Sequence, residues 1–187
     1  MLQLIPALST PREDVMHYYN SFGDKLYDLN NSALSKIKDG YDKYFSCIKL
    51  AEDNGCSMYY LINTENPQYI IGYGSINIPK APVIPFFYNG DISYGIRPAM
   101  RKQGYGSTVL GLLLDKCVDL SLDKICIMCL ESNIGSKKII ESHNAELISK
   151  INIGSSDNNC LKYFIDLEPL RREKRNVKLK QLTFDMK

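Results

Sequence analysis

A strand, a glycine-rich turn and a long helix follow one another between Asp91 and Leu120, and this succession restricts the fold of the 187-residue chain more than any other feature. Asp91 to Arg97 reads as a short strand, ended by Pro98, whose ring steers the residue before it out of helical geometry. Arg101-Lys-Gln-Gly-Tyr-Gly106 comes next. Gly104 to Leu120 is then predicted as a helix, with Val109, Leu110, Leu113, Leu114, Cys117 and Leu120 on one apolar face. The glycines allow a tight turn with unshielded backbone N–H groups. The helix adds first-turn N–H groups that lack intrahelical partners, and the positive end of its dipole. Together they form an anion cradle suited to a pyrophosphate, with Arg101 and Lys102 as countercharge. A P-loop is excluded because no Lys-Ser/Thr pair follows the glycines. The dinucleotide pattern Gly-x-Gly-x-x-Gly fails because Val109 stands at its third glycine.

The rest of the chain supplies an α/β frame. Thr10-Pro11-Arg12-Glu13 predicts a helix start, with the Thr10 hydroxyl as N-cap and a first-turn proline. Val15, Tyr18, Tyr19 and Phe22 follow at helical spacing. Ser32 to Lys38 is weakly helical, and Tyr41 to Asn54 mixes helix and loop. Ser57 to Asn63 and Tyr69 to Ile78 read as an antiparallel hairpin around the polar turn Thr64 to Gln68. Pro79, Pro82 and Pro85 break regular structure, which predicts a loop from Lys80 to Asn89 beside the site. Lys124 to Leu130 is a buried strand, and Asn133 to Asn144 a helix anchored by Ile139 and Ile140. Leu147 to Ile153 and Cys160 to Leu167 are strands joined by the turn Gly154 to Asn159. Strand, helix, strand, helix and hairpin make an α/β layer pattern with a mixed sheet.

Composition excludes several classes of function. Hydrophobic residues are 44% and charged residues 24% of the chain, as in an ordinary globular domain. No run approaches the roughly 18 apolar residues of a membrane span, and Met1 to Pro6 lacks a basic signal-peptide region. The expectation is a cytoplasmic protein without a membrane partner. Of the six cysteines only Cys126-Ile-Met-Cys129 has ligand-like spacing, and it lies within an apolar strand with no second pair. The cysteines are therefore expected to pack as small hydrophobes, with no metal. The net charge is +2, yet Glu168 to Lys187 alone carries seven Lys or Arg against three acids. Such a basic tail fits either a solvated terminal helix or contact with an acidic partner, nucleic acid being the less expected one. The 13 tyrosines could line a pocket or a core. His17 and His143 have no partner group in the sequence and receive no role.

Arg101-x-x-Gly104-x-Gly106, entering a helix after a strand ending Tyr94-Gly-Ile-Arg-Pro98, resembles the acetyl-CoA signature of the GNAT superfamily of N-acetyltransferases. Asn133-x-x-Ser136, leading into Lys138-Ile-Ile-Glu141, is similar to the family's following motif. The resemblance runs from about Met58 to Leu167. It implies an α/β fold with a mixed, splayed central β-sheet flanked by helices. It also implies one acetyltransferase domain over residues 1–167, a cofactor-binding core at about 91–145, and a basic tail over 168–187. Acetyl-CoA would be the acyl donor. Backbone groups of Tyr94, Gly95 and Ile96 would pair with the pantetheine arm, and Arg101, Lys102, Gln103, Gly104, Tyr105, Gly106 and Ser107 would hold the pyrophosphate. Asn133 would bond the pantetheine or thioester, cap the following helix, or both, with Ser136 and Lys137 near the end of the cofactor.

The chemistry implied is transfer of acetyl to a primary amine of a small molecule or peptide, by direct attack in a ternary complex. That reaction needs a deprotonated amine, a polarised carbonyl and an acid for the leaving thiolate. Asp91 is the first candidate base and Glu131 the second, each also readable as an ordinary strand-end carboxylate. A backbone N–H near Ile96 is the expected oxyanion donor. Many relatives carry a Tyr acid seven residues after the motif Asn, where this chain has Ile140. That departure keeps open a non-catalytic acyl-CoA-binding or regulatory module. Relatives also end this helix in a Gly pair, where Asn144-Ala145 stands, and Asn tolerates the left-handed cap. A homodimer is compatible with the sequence, which does not specify the acceptor.

Overall fold

The computed structural model describes residues 1–23, 37, 40–78, 90–152 and 159–185. The helix expected around Ser32 to Lys38 (Ile37 apart), the loop Lys80 to Asn89 and the turn Gly154 to Asn159 (Asn159 apart) lie outside them. The chain has a mixed α/β fold, a central β-sheet flanked by helices. It divides into two compact units, Met1–Leu113 and Leu114–Lys187.

The first unit carries β1 (Leu2–Pro6), α1 (Arg12–Asn20), α2 (Tyr41–Asp53), β2 (Cys56–Asn63), β3 (Asn66–Asn77), β4 (Ile92–Ile96) and the first half of α3 (Tyr105–Asp119). Its strands pair antiparallel in the order β1, β2, β3, β4. Sequence reading missed β1, five residues too short to display a period. The strand is pinned at its start, where the terminal ammonium donates to Asn63 Oδ1 and Thr64 Oγ1, each at 3.0 Å. The hairpin turn is tighter than expected: Asn63 pairs with Asn66, and Asn66 to Gln68 extend β3 as exposed, polar strand residues.

One face of this sheet is covered by α1 and α2. Val15, Tyr18, Tyr19, Phe22, Tyr44, Ile48, Met58, Tyr60, Ile70 and Tyr73 form a continuous core there. Burying several tyrosines requires partners for their hydroxyls. Tyr19 and Tyr60 lie 3.1 Å apart at their oxygens, Tyr44 bonds both of them, and Tyr44 also donates to Met58 Sδ at 3.7 Å. Burial pushes the Tyr19 and Tyr60 hydroxyls well above their ordinary range and that of Tyr44 up to about 12, so all three remain neutral. These tyrosines are core residues, which decides the alternative the sequence left open.

Two helix readings are corrected. The Thr10 hydroxyl does not cap α1. It donates to Pro6 O at 3.0 Å, and Pro11 occupies the cap position. The preceding 3-10 turn over Ala7–Ser9 places the Pro6 carbonyl within reach and buries Thr10. The mixed segment Tyr41 to Asn54 is a regular helix over Tyr41–Asp53. Its buried stripe, Tyr44 and Ile48 at i and i+4, is too narrow to show clearly in the sequence.

In α3, Val109, Leu110, Leu113, Leu114 and Cys117 are buried as predicted, but Leu120 lies past the helix end and is 53% exposed. The helix approaches β3 closely: a Cβ on Gly74 would stand 2.6 Å from Leu113 Cδ1. Within the second unit, β5 (Lys124–Leu130), β7 (Asn159–Asp166) and β6 (Glu146–Asn152) pair antiparallel in that order, with α4 (Ile134–Ser142) between β5 and β6 in sequence. Asn144, with φ of 58°, ends α4 in the left-handed conformation the sequence suggested.

The basic tail begins as α5 (Glu168–Asp185). Arg171 donates to Leu122 O at 2.7 Å and pairs with Asp123 at 3.0 Å, and Lys174 pairs with Asp119 at 3.0 Å. Part of the tail's charge is thus matched within its own unit. All six cysteines carry thiols, not disulfides. Among the described residues no helix is long and apolar enough to cross a membrane.

Candidate active site

The candidate site in the first unit is built on β4 and the turn after it. β4 pairs with β3 through Gly72 with Ile96, Tyr73 with Gly95, and Gly74 with Tyr94. Gly95 is required there, because a Cβ would stand 2.4 Å from Cε1 of the buried Tyr73 ring. The chain leaves β4 at Arg97, makes a 3-10 turn over Pro98–Met100, and returns so that Arg101 Nε donates to Ile96 O at 3.1 Å. Strand end and turn are thereby tied together. Gln103 Nε2 fastens the turn again by donating to Ala99 O at 3.2 Å.

Lys102 and Gly104 take left-handed conformations, with φ of 61° and 86°. They swing the backbone into α3, whose first bonds run from Ser107 N and Thr108 N to Gly104 O at 3.1 and 3.2 Å. Among the described residues, the amides of Lys102 to Gly106 donate to no backbone carbonyl. Lys102, Gln103 and Gly104 are exposed, and a Cβ at Gly104 would meet nothing within 4 Å. The result is an exposed turn at the positive end of a 15-residue helix. Of the residues expected to hold pyrophosphate, Arg101 points its Nε back to the strand, while Lys102 remains the exposed countercharge.

Asp91 sits at the opposite end of β4, one residue before the strand, and is partly buried. Its carbonyl accepts from Asn77 N at 2.7 Å, which fixes the strand entry.

The second unit holds the remaining candidates. Glu131 directly follows β5. It accepts from Lys150 Nζ at 2.8 Å and Asn159 Nδ2 at 2.8 Å, and these bonds hold its carboxyl below the usual carboxylate range. A carboxylate so occupied is a weak proton acceptor. Asn133 caps α4, its Oδ1 accepting from Ser136 N at 3.1 Å. That cap fixes the Asn133 side chain and places Ser136 in the first turn of the helix. Ile140 is 1% exposed, so the position of the relatives' tyrosine belongs to the core of this chain. Beside it, Tyr163 OH donates to Glu141 Oε1 at 3.2 Å, and burial, then Glu141, push the phenol up to about 12.

The family model for the acetyltransferase (GNAT) domain matches residues 5–146, which include this turn and the strand before it. The chain belongs to the GNAT family. Its solved relatives show the same fold at low identity. An N-acetyltransferase from Staphylococcus aureus Mu50 is 16% identical, with a TM-score of 0.64 over 89% of this chain and 99% of the other. Mutant forms of the spermidine/spermine N-acetyltransferase SpeG from Vibrio cholerae are 15% identical, with a TM-score of 0.60 over 90% and 96%. The protein yncA from Salmonella typhimurium, solved with its cofactor acetyl-CoA, is 13% identical, with a TM-score of 0.61 over 89% and 94%. No curated protein sequence matches the chain.

In this GNAT chain, the first unit brings together Tyr94, Gly95, Ile96 and the turn Arg101 to Ser107, with Asp91 at the far end of the same strand. Glu131, Asn133 and Ser136 lie in the second unit. Sequence reading passed over Arg97. It is 3% exposed, its guanidinium carbon lies 4.1 Å from the Tyr69 ring centroid, and Nε and Nη2 have no hydrogen-bond partner among the described residues. An arginine between a strand and a proline in an otherwise apolar segment was the available signal.

Proposed function

We propose that this chain transfers the acetyl group of acetyl-CoA to a primary amine of a small molecule or peptide, by direct attack within a ternary complex. The observation that carries this reading is the row of amides from Lys102 to Gly106 at the start of α3, which among the described residues donate to no backbone carbonyl, with open space beside Gly104. A pyrophosphate supplies the acceptor oxygens such a row lacks, and the helix dipole favours its charge. Backbone groups of Tyr94, Gly95 and Ile96 on the adjoining strand suit the amide-bearing pantetheine arm. Asn133 and Ser136 are assigned to the cofactor on their family motif, the capped Asn133 side chain being already held in place.

In the reaction, the amine nitrogen forms a bond to the thioester carbon while the C–S bond breaks. The proton lost by the amine goes to a base, and the thiolate leaves with a proton from an acid or solvent. Asp91 is the first candidate base on its place at the entry of β4, and Glu131, whose carboxylate accepts from Lys150 and Asn159, is the second. A backbone N–H near Ile96 supports the negative charge on the carbonyl oxygen.

One observation favours a second reading, a non-catalytic acyl-CoA-binding module: the buried Ile140 offers no acid where many relatives have one. Release of free thiol from acetyl-CoA, followed with a panel of primary amines, separates the two. Amine-dependent release supports the transferase. Binding of acetyl-CoA with no release across polyamines, amino acids and peptide N-termini supports the module.

A further inference from the structure

Arg97 carries a charge the fold leaves without an answer. Its side chain runs back from the end of β4, with the guanidinium carbon 4.1 Å from the Tyr69 ring centroid and 5.3 Å from that of Tyr18. Cation–π attraction to two rings offsets only part of the cost of taking a guanidinium out of water. Among the described residues no carboxylate pairs with it, and Nε and Nη2 are buried without hydrogen-bond partners. The Tyr18 hydroxyl, on a fully buried ring, is likewise unpartnered. Buried donors of this kind are rare in folded proteins, and unpartnered donors on a buried guanidinium match the oxygens of an anion. Burial keeps the Tyr18 hydroxyl neutral, so it remains a donor, with the Arg97 and Arg101 charges both acting on it.

We propose that Arg97 and the Tyr18 hydroxyl form an anion-binding subsite, separate from the Lys102–Gly106 amides, that receives a carboxylate or phosphate oxygen of a bound ligand. The shared chemistry is a planar or tetrahedral oxyanion met by the guanidinium fork. Its source is either the phosphates of the cofactor or an acidic group on the acceptor. Tyr69, which covers the guanidinium, is only partly buried. The cofactor source rests on the acetyl-CoA reading above, whereas the acceptor source does not.

The test uses the full chain, Arg97→Met, Arg97→Lys and Tyr18→Phe. Calorimetry gives dissociation constants for CoA and inorganic pyrophosphate, the Arg97 Nε–H resonance is followed as pyrophosphate or acetate is added, and thermal unfolding is recorded without ligand. Arg97→Met is expected to unfold no earlier than the wild type, because an unneutralised buried charge has been removed. It is also expected to lose about tenfold or more in anion affinity, the order of a single charge-assisted contact. Loss toward CoA and pyrophosphate together assigns the subsite to the cofactor. Intact CoA affinity, with a lost preference for a carboxylate-bearing acceptor over its amide, assigns it to the acceptor. Should the Met variant not fold, Arg97→Lys decides, since it keeps the charge but lacks the fork and is expected to lose affinity in the same direction. Unchanged affinities and unchanged acceptor preference in the folded Arg97 variants, with a silent Nε–H resonance, would overturn the proposal. A wild type that fails to bind CoA while its Arg97 resonance still responds to pyrophosphate or acetate refutes the cofactor reading alone.

Discussion

Replacing Gly95 by alanine tests how tightly β4 is fitted to the core. The added methyl would stand 2.4 Å from Cε1 and 3.1 Å from Cζ of Tyr73, well inside van der Waals contact. Tyr73 is 4% exposed and cannot swing aside, so β4 or the ring must shift. Overpacking of this kind costs about 2 kcal/mol, within a usual range of roughly 1 to 3. Tyr73→Leu removes the ring atoms that meet the methyl and by itself costs a similar ~1 to 3 kcal/mol through the cavity it leaves. In the double variant the methyl enters that cavity, so the two losses do not add and the coupling amounts to about 1 to 3 kcal/mol. Denaturant unfolding of the four proteins measures it. Because Gly95 lies in the strand assigned to the pantetheine arm, Gly95→Ala also weakens acetyl-CoA binding. A Gly95→Ala protein as stable as the wild type, or additive losses in the double variant, would refute the packing argument.

Other perturbations separate fold from function. Gly104→Glu puts a side chain into open space at a φ of 86°, so the protein folds with a loss of about 1 to 2 kcal/mol, while acetyl-CoA binding disappears in calorimetry because a carboxylate now faces the pyrophosphate. Asp91→Asn lowers the amine-transfer rate and leaves acetyl-CoA affinity unchanged; an unaltered rate removes Asp91 as the base. Glu131 has a carboxyl lowered by Lys150 and Asn159, so its stabilising contribution is present above its unfolded pKa near ~4.3 and is lost as the pH falls through its lower folded value. Glu131→Gln is therefore less stable than the wild type at neutral pH, and denaturant curves of the two converge as the pH falls below about 4.

The motif region was legible because its physical demands are local. A strand, two glycines and an apolar helix face are each written in consecutive residues, and Val109 to Cys117 are buried as their spacing required. What escaped was set by distant partners. β1 is a strand only because β2 pairs with it through Leu4 and Leu61. Thr10 does not cap α1 because its hydroxyl donates instead to the Pro6 carbonyl. Glu131 reads in the sequence as an ordinary strand-end carboxylate, and the approach of Lys150 and Asn159 to it comes from segments distant in the chain. Arg97 was invisible for the same reason, since its burial against Tyr18 and Tyr69 joins segments far apart in the chain.

The central claim is that the turn from Arg101 to Ser107 binds acetyl-CoA, and thermal unfolding with and without that cofactor tests it most directly. At about 100 times its dissociation constant a ligand adds roughly 2.7 kcal/mol of stability, which for a chain of this size raises the midpoint by roughly 5 to 11 °C. The account predicts that rise in the wild type and its absence in Gly104→Glu. An unchanged wild-type midpoint at saturating acetyl-CoA, or an equal rise in the variant, would contradict it.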